Sequence, residues 1–349
     1  MRRPFSRTWL LGLALAFLLA GYVPTTALPR ESTDKVTFLI EKLKDSSFKV
    51  RLKAALLLGR LADRRAVEPL MNALSDGNYV VRGAAARALG NLGYPAALPA
   101  LNRLLRLAND DEVFVRKEAV KAIRKLAGPE AIDTLIAALS DGSPQVRLVA
   151  VHILGKLDLP GVRRAVVEAM GDEDELVRQE AIESLKGLGR AELNGLLRQA
   201  LQNGGYRVQE AAVRLAEQLR MVELLDVIAD MLVRDDVVPA VKREAGLAIA
   251  QMKDALNLDK IIQDSASSEP ALRDKAVRLL GIYGGAKAVD RLLSMLKTDD
   301  TFLKRRVVAA LGEAGDPRAI PALEYLRSQE QDKRLLQQIE ISLRRLKPR

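Results

Sequence analysis

The sequence predicts an all-α chain: an α-solenoid of nine helical hairpins with a capping helix at each end. Two observations carry this. A Val-Arg anchor recurs about every 31 residues over most of the 349-residue chain, and small and aliphatic residues follow each anchor at helical spacing. No stretch reads as a convincing strand. The composition agrees, since 48% hydrophobic and 29% charged residues suit a folded, soluble protein. The absence of Cys removes disulfides, thiol catalysis and thiolate metal sites, and a single His removes His-rich metal chemistry.

The first element is an address. Arg2, Arg3 and Arg7 precede an apolar run from Trp9 to about Val23, followed by Pro24 and small residues up to Ala27. A run of about 15 apolar residues behind a basic segment fits a secretory signal peptide, whereas a spanning helix needs about 20. Residues 1–27 are therefore expected to be a signal peptide cleaved after Ala27, placing the chain in a periplasm or outside the cell. If uncleaved, the segment would act as a membrane anchor. Tyr22 stands where a lipoprotein would carry its lipidated Cys.

Residues 28–349 then form one repeat array: a cap helix over 33–44, repeats over about 45–327 and a closing cap over 328–349. The anchors are Arg51, Arg82, Arg116, Arg147, Arg178, Gln209, Lys242, Arg273 and Lys304, each preceded by Val or Leu. Three residues on comes Ala (Val307 in the last repeat), and seven on an apolar residue, from Leu58 to Leu311. These offsets trace one helical stripe, with a small residue where a neighbour approaches. Gly59, Gly90, Gly155, Gly281 and Gly312 follow, as a helix C-terminus prefers. A second helix carries an aliphatic residue 19 past each anchor, from Leu70 to Leu323. Neither helix of a hairpin can cover its apolar face alone, so the hairpins must stack.

The run Val50-Arg51-Leu52-Lys53-Ala54-Ala55-Leu56-Leu57-Leu58-Gly59 and the segment Gly315-Asp316-Pro317-Arg318-Ala319-Ile320-Pro321-Ala322-Leu323 resemble the short HEAT-like repeats named after phycobilisome lyases. The resemblance implies a right-handed superhelix, mostly used as a binding scaffold, with second helices lining the concave face. Iron-dependent hydroxylases of this fold need several His-Glu pairs, which one His cannot supply. Alkylation-repair glycosylases use a Trp, and Trp9 leaves with the leader. No cofactor or metal is implied.

Six residues before the anchor stand Asp45, Asp76, Asp110, Asp141, Asp172 and Asp236. Each is expected to cap its helix, while the Arg reaches carboxylates of adjacent repeats. A pair recurring at every rung reads as a structural ladder, with about 0–1 kcal/mol per exposed rung. Phe48, Tyr79 and Tyr206, three before their anchors, are expected to pack between consecutive turns. His152 falls where other repeats carry Arg87, Lys121 or Glu183, which predicts a solvated flank rather than a catalytic position.

Charge is unevenly spread. Residues 28–170 hold 23 basic and 16 acidic side chains, 171–270 hold 12 and 19, and 271–349 hold 17 and 10. A nucleic-acid track should not reverse sign in its middle. On the second helices, positions 17 and 21 past the anchor are mostly acidic. Asp226, Asp230, Asp259 and Asp290 lead, with Glu68, Asp133, Glu168 and Tyr325 beside them. The expectation is a non-enzymatic scaffold that binds a basic or mixed-charge protein or peptide, with no nucleic acid and no membrane unless the leader is retained. A lyase or cofactor-handling enzyme is the alternative, and nucleic-acid binding through the basic ends a second one.

Overall fold

A computed structural model describes residues 30–106, 111–126 and 128–347; the expected signal peptide lies outside them. All regular structure among these residues is helical. The chain divides into two compact units, up to Ala131 and from Ile132. In the first, α1 (Arg30–Lys42) is the cap, α2 (Phe48–Leu61), α4 (Tyr79–Leu92) and α6 (Asp111–Ile123) are first helices, and α3 (Val67–Ala73) and α5 (Leu98–Leu104) are second helices. The division falls inside α7 (Pro129–Ala137). The second unit continues through α8 (Pro144–Leu154), α9 (Pro160–Ala169), α10 (Glu175–Lys186), α11 (Arg190–Asn203), α12 (Tyr206–Gln218), α13 (Leu225–Met231), α14 (Pro239–Gln251) and α15 (Leu258–Asp264). It ends with α16 (Pro270–Tyr283), α17 (Gly285–Met295), α18 (Thr301–Ala314), α19 (Ile320–Gln329) and the closing α20 (Lys333–Leu346).

The stripe read from the sequence is the core. Residues 3, 7 and 19 past every anchor are buried, from Ala54, Leu58 and Leu70 to Val307, Leu311 and Leu323. The residue before the anchor is buried from Val81 to Val241, whereas Val50, Leu272 and Leu303 are half-covered. On the caps, Val36 and Leu39 at one end and Leu335, Ile339 and Leu343 at the other are buried.

The glycine expectation needs correcting. Gly59, Gly90, Gly281 and Gly312 lie inside their helices, not at the ends. A Cβ on Gly59 would sit 2.7 Å from Ala88 Cα, one on Gly90 2.6 Å from Ala122 Cα, and one on Gly281 2.9 Å from Ala310 Cα. These residues let consecutive first helices touch backbone to backbone. Helix ends fall three residues later, at left-handed Gly93 (φ 71°) and Gly315 (φ 70°) and at the non-glycine Ala62 (φ 54°). Gly155 does follow α8, and its Cβ would meet Ser184. Contact between consecutive first helices is not uniform. The first helices α10 and α12 barely touch and α14 and α16 meet at few points; Lys186 and Ala250 stand there at the repeat position that Gly59 and Gly90 occupy in theirs.

The ladder forms, with two corrections. Four of the Asp residues do not cap their helices: Asp45, Asp76, Asp141 and Asp172 accept from the backbone N–H two residues on, so each folds the loop just ahead of its helix, while Asp110 lies outside the described residues. The capping position belongs to Ser47, Asn78, Ser143 and Asp174. Nor are the best rungs exposed. Arg51 donates twice to Asp76 of the next repeat, at 2.6 and 2.8 Å, and Arg147 twice to Asp172 at 2.8 Å, with both side chains of the latter pair under 10% exposed. The same guanidinium donates to the carbonyl of its own loop, Asp45 for Arg51 and Asp141 for Arg147, so it fastens two loops at once.

At the neutral rung, buried Gln209 donates to the Leu201 carbonyl. Arg234 reaches back to the Leu201 and Gln202 carbonyls while pairing with Asp236. Of the aromatic row, Tyr79 packs edge-on against Phe114, ring centres 6.2 Å apart, in space that Gly83 leaves open. Tyr206 instead lies under Arg207 of its own helix.

Candidate functional site

The second helices exist to bury the residue at +19, and this fixes what their other faces present. With Leu70, Leu135, Val166, Ile228, Ile261, Leu292 and Leu323 turned inward, residues two positions away on either side are carried around the helix to its outer surface. All eight candidate residues are accordingly exposed: Glu68 on α3 in the first unit, and Asp133 on α7, Glu168 on α9, Asp226 and Asp230 on α13, Asp259 on α15, Asp290 on α17 and Tyr325 on α19 in the second. Asp226 and Asp230 share one face, a turn apart.

Several of these carboxylates already hold a cation from another repeat. Arg198 on α11 donates to both oxygens of Asp226 (2.8 and 3.2 Å) and to the Glu223 carbonyl (2.7 Å). Burial works against ionising Asp226, but the Arg198 hydrogen bonds outweigh it and hold its pKa below the usual carboxylate range. Lys275 on α16 reaches Asp230 at 2.7 Å, and Arg318 bonds Asp290 at 2.9 Å while gripping Asp316. Beside them Arg190 pairs with Glu223 at 2.7 Å. Glu68, Asp133, Glu168 and Asp259 form no ion pair among the described residues.

Counting positions 17 and 21 overlooks these cations because they occupy other offsets. The signal is present in the sequence all the same: Arg198 and Asp226, and Arg318 and Asp290, stand 28 residues apart, close to one repeat length. In the second unit this surface is therefore a row of solvent-exposed ion pairs interrupted by unpaired carboxylates. Charges held this way cost little to exchange, because exposed pairs contribute only about 0–1 kcal/mol.

His152 is exposed, its Nδ1 2.8 Å from Glu180 and its Nε2 2.7 Å from Lys156. Among the described residues no group of three or more His, Asp or Glu side chains is placed to hold a metal ion, and no helix is long and apolar enough to cross a membrane. The gap between α10 and α12 is a cleft of about 500 Å³ whose charges largely cancel, since Arg214 binds Glu210 at 2.7 Å and Glu244 at 2.6 Å.

No curated protein matches the chain. Among solved structures, an engineered protein is 20% identical, with 89% of this chain and 98% of that one covered and a TM-score of 0.33. Human deoxyhypusine hydroxylase in complex with glycerol is 20% identical over 73% of this chain and 97% of that one, TM-score 0.33. Kap121p bound to Ste12p is 15% identical over 98% of this chain and 43% of that one, TM-score 0.46. The family model for HEAT repeats matches residues 36–114, 103–186 and 258–344, well over half of the chain. With the buried stripe recurring in every hairpin, the chain belongs to the HEAT repeat family.

Proposed function

We propose that the chain is a non-enzymatic, exported scaffold that binds a protein or peptide partner along the surface of its second helices. HEAT-repeat solenoids commonly serve protein binding, and the observation that carries the reading is the row of exposed carboxylates repeated from α13 to α17. Lys and Arg side chains of a basic or mixed-charge polypeptide would exchange with Arg198, Lys275 and Arg318 at Asp226, Asp230 and Asp290, and meet Asp259 directly. Such exchange gives little energy per contact and depends on many contacts in register, which suits an extended partner. Tyr325 supplies an exposed aromatic ring at the end of the row.

The test uses a fluorescent peptide of alternating Lys and Leu and the Asp226→Lys/Asp230→Lys/Asp259→Lys/Asp290→Lys variant. Binding of the wild type should weaken with salt, and the variant should bind at least about tenfold more weakly. Equal affinity for the two proteins would sink the reading.

A further inference from the structure

The opening between α14 and α16 differs in charge from the one between α10 and α12. The sparse contact between the two helices leaves a cleft of about 480 Å³, within the range of ligand sites. One wall is apolar: Leu247, 61% exposed, together with Gly246, Ala250 and Ile282. The other is cationic, with Lys242, Arg243 and Arg278 on the lining and Arg306 behind them.

The carboxylates present do not neutralise this wall. Asp274 faces two guanidinium groups, Arg306 at 2.8 Å and Arg278 at 3.6 Å, and the buried Nε atoms of both arginines lack a hydrogen bond of good geometry. Lys242 stands at an anchor position, where Arg51 and Arg147 each find an Asp in the next repeat. Its counterpart in that repeat is Ser267, and no carboxylate lies within 4 Å of its ammonium among the described residues. The exposed Asp235 and Asp236 are on its own loop, and Asp236 is held by Arg234 at 2.5 Å. Glu313 closes the far end, its carboxyl pushed up by burial.

We propose that the cleft between α14 and α16 is a docking site for an acidic, aliphatic peptide segment, one carboxylate seated between Lys242 and Arg278 and a neighbouring aliphatic side chain against Leu247 and Ile282. A phosphate or a nucleic-acid backbone would satisfy the cations and leave the apolar wall wet; a Glu or Asp flanked by Leu uses both. The site extends the scaffold reading to a second surface of opposite charge, built on first helices and independent of Asp226, Asp230, Asp259 and Asp290.

The test measures anisotropy of a fluorescent peptide of alternating Glu and Leu with the full chain. The expected result is binding that weakens at least about tenfold in Lys242→Gln/Leu247→Ser, persists in the four-Asp variant, and is lost when Gln replaces Glu in the peptide. Lys242→Glu should in turn take up the Lys and Leu peptide in the presence of the four Asp→Lys substitutions. No binding by wild type, equal binding of the Gln peptide, an unchanged affinity in the double variant, or displacement by inorganic phosphate as effective as by unlabelled peptide would each overturn the proposal. Loss of Lys and Leu peptide binding in the four-Asp variant while Glu and Leu peptide binding survives separates the two surfaces.

Discussion

At the residue scale, Arg147 shows what a rung does. Its guanidinium joins the Asp141 carbonyl to both oxygens of Asp172 at a site largely shielded from water. Arg147→Ala leaves the largely shielded Asp172 with the Asp174 N–H and the more distant charge of Arg178, and should cost about 3 kcal/mol in denaturant unfolding. Glu313 works in the opposite sense. Burial raises its pKa, with Arg345 and Arg278 only partly offsetting this. The folded state resists its ionisation, so Glu313 lowers stability above its folded pKa, and that cost fades as pH falls through it towards the unfolded value near about 4.3. Glu313→Gln is therefore expected to raise the thermal midpoint at neutral pH, with the gain vanishing by about pH 4. The Asp and Arg rows were legible because they recur in register. Which Arg binds which Asp was not, since the partner lies one loop further on and burial decides how strongly the two interact.

At the element scale, one position decides how closely first helices stack. Gly90→Ala adds a methyl that would sit 2.6 Å from Ala122 Cα. Forcing α4 and α6 apart should cost about 1–3 kcal/mol, more than the roughly 1 kcal/mol that Ala gains over Gly in a helix. Gly195 lies mid-helix in α11 with nothing within 4 Å of its ideal Cβ, so Gly195→Ala should raise stability by up to about 1 kcal/mol. Opposite signs for one substitution, read from thermal unfolding of the two variants, check the account; a gain at both sites contradicts it. Hairpin boundaries and the buried stripe were readable from periodicity alone. The role of these glycines was not, because a Gly three residues before a helix end satisfies the same pattern as a terminating one until its neighbour is known.

At the scale of the whole molecule, the balance of +10 conceals a basic-acidic-basic order along the sequence. The order was legible. Its local effect was not, since Arg198, Lys275 and Arg318 cancel acidic charge from neighbouring repeats. For the proposed export, the mass of the purified protein is expected to place Leu28 at the N-terminus. Retention of Met1 in material recovered from the exporting cell's envelope would replace cleavage with anchoring.

The unequal closeness of first helices also has a mechanical meaning. Joints where Gly meets Ala or Ser bring the backbones close, while those between α10 and α12 and between α14 and α16 share little contact. In a repeat array each joint resists deformation by its own interface alone. Within the second unit, tension along the chain would thus be taken up unevenly: the joints beside Gly281 and Gly312 act as stiff blocks, and those at α10/α12 and α14/α16 act as compliant springs that yield first.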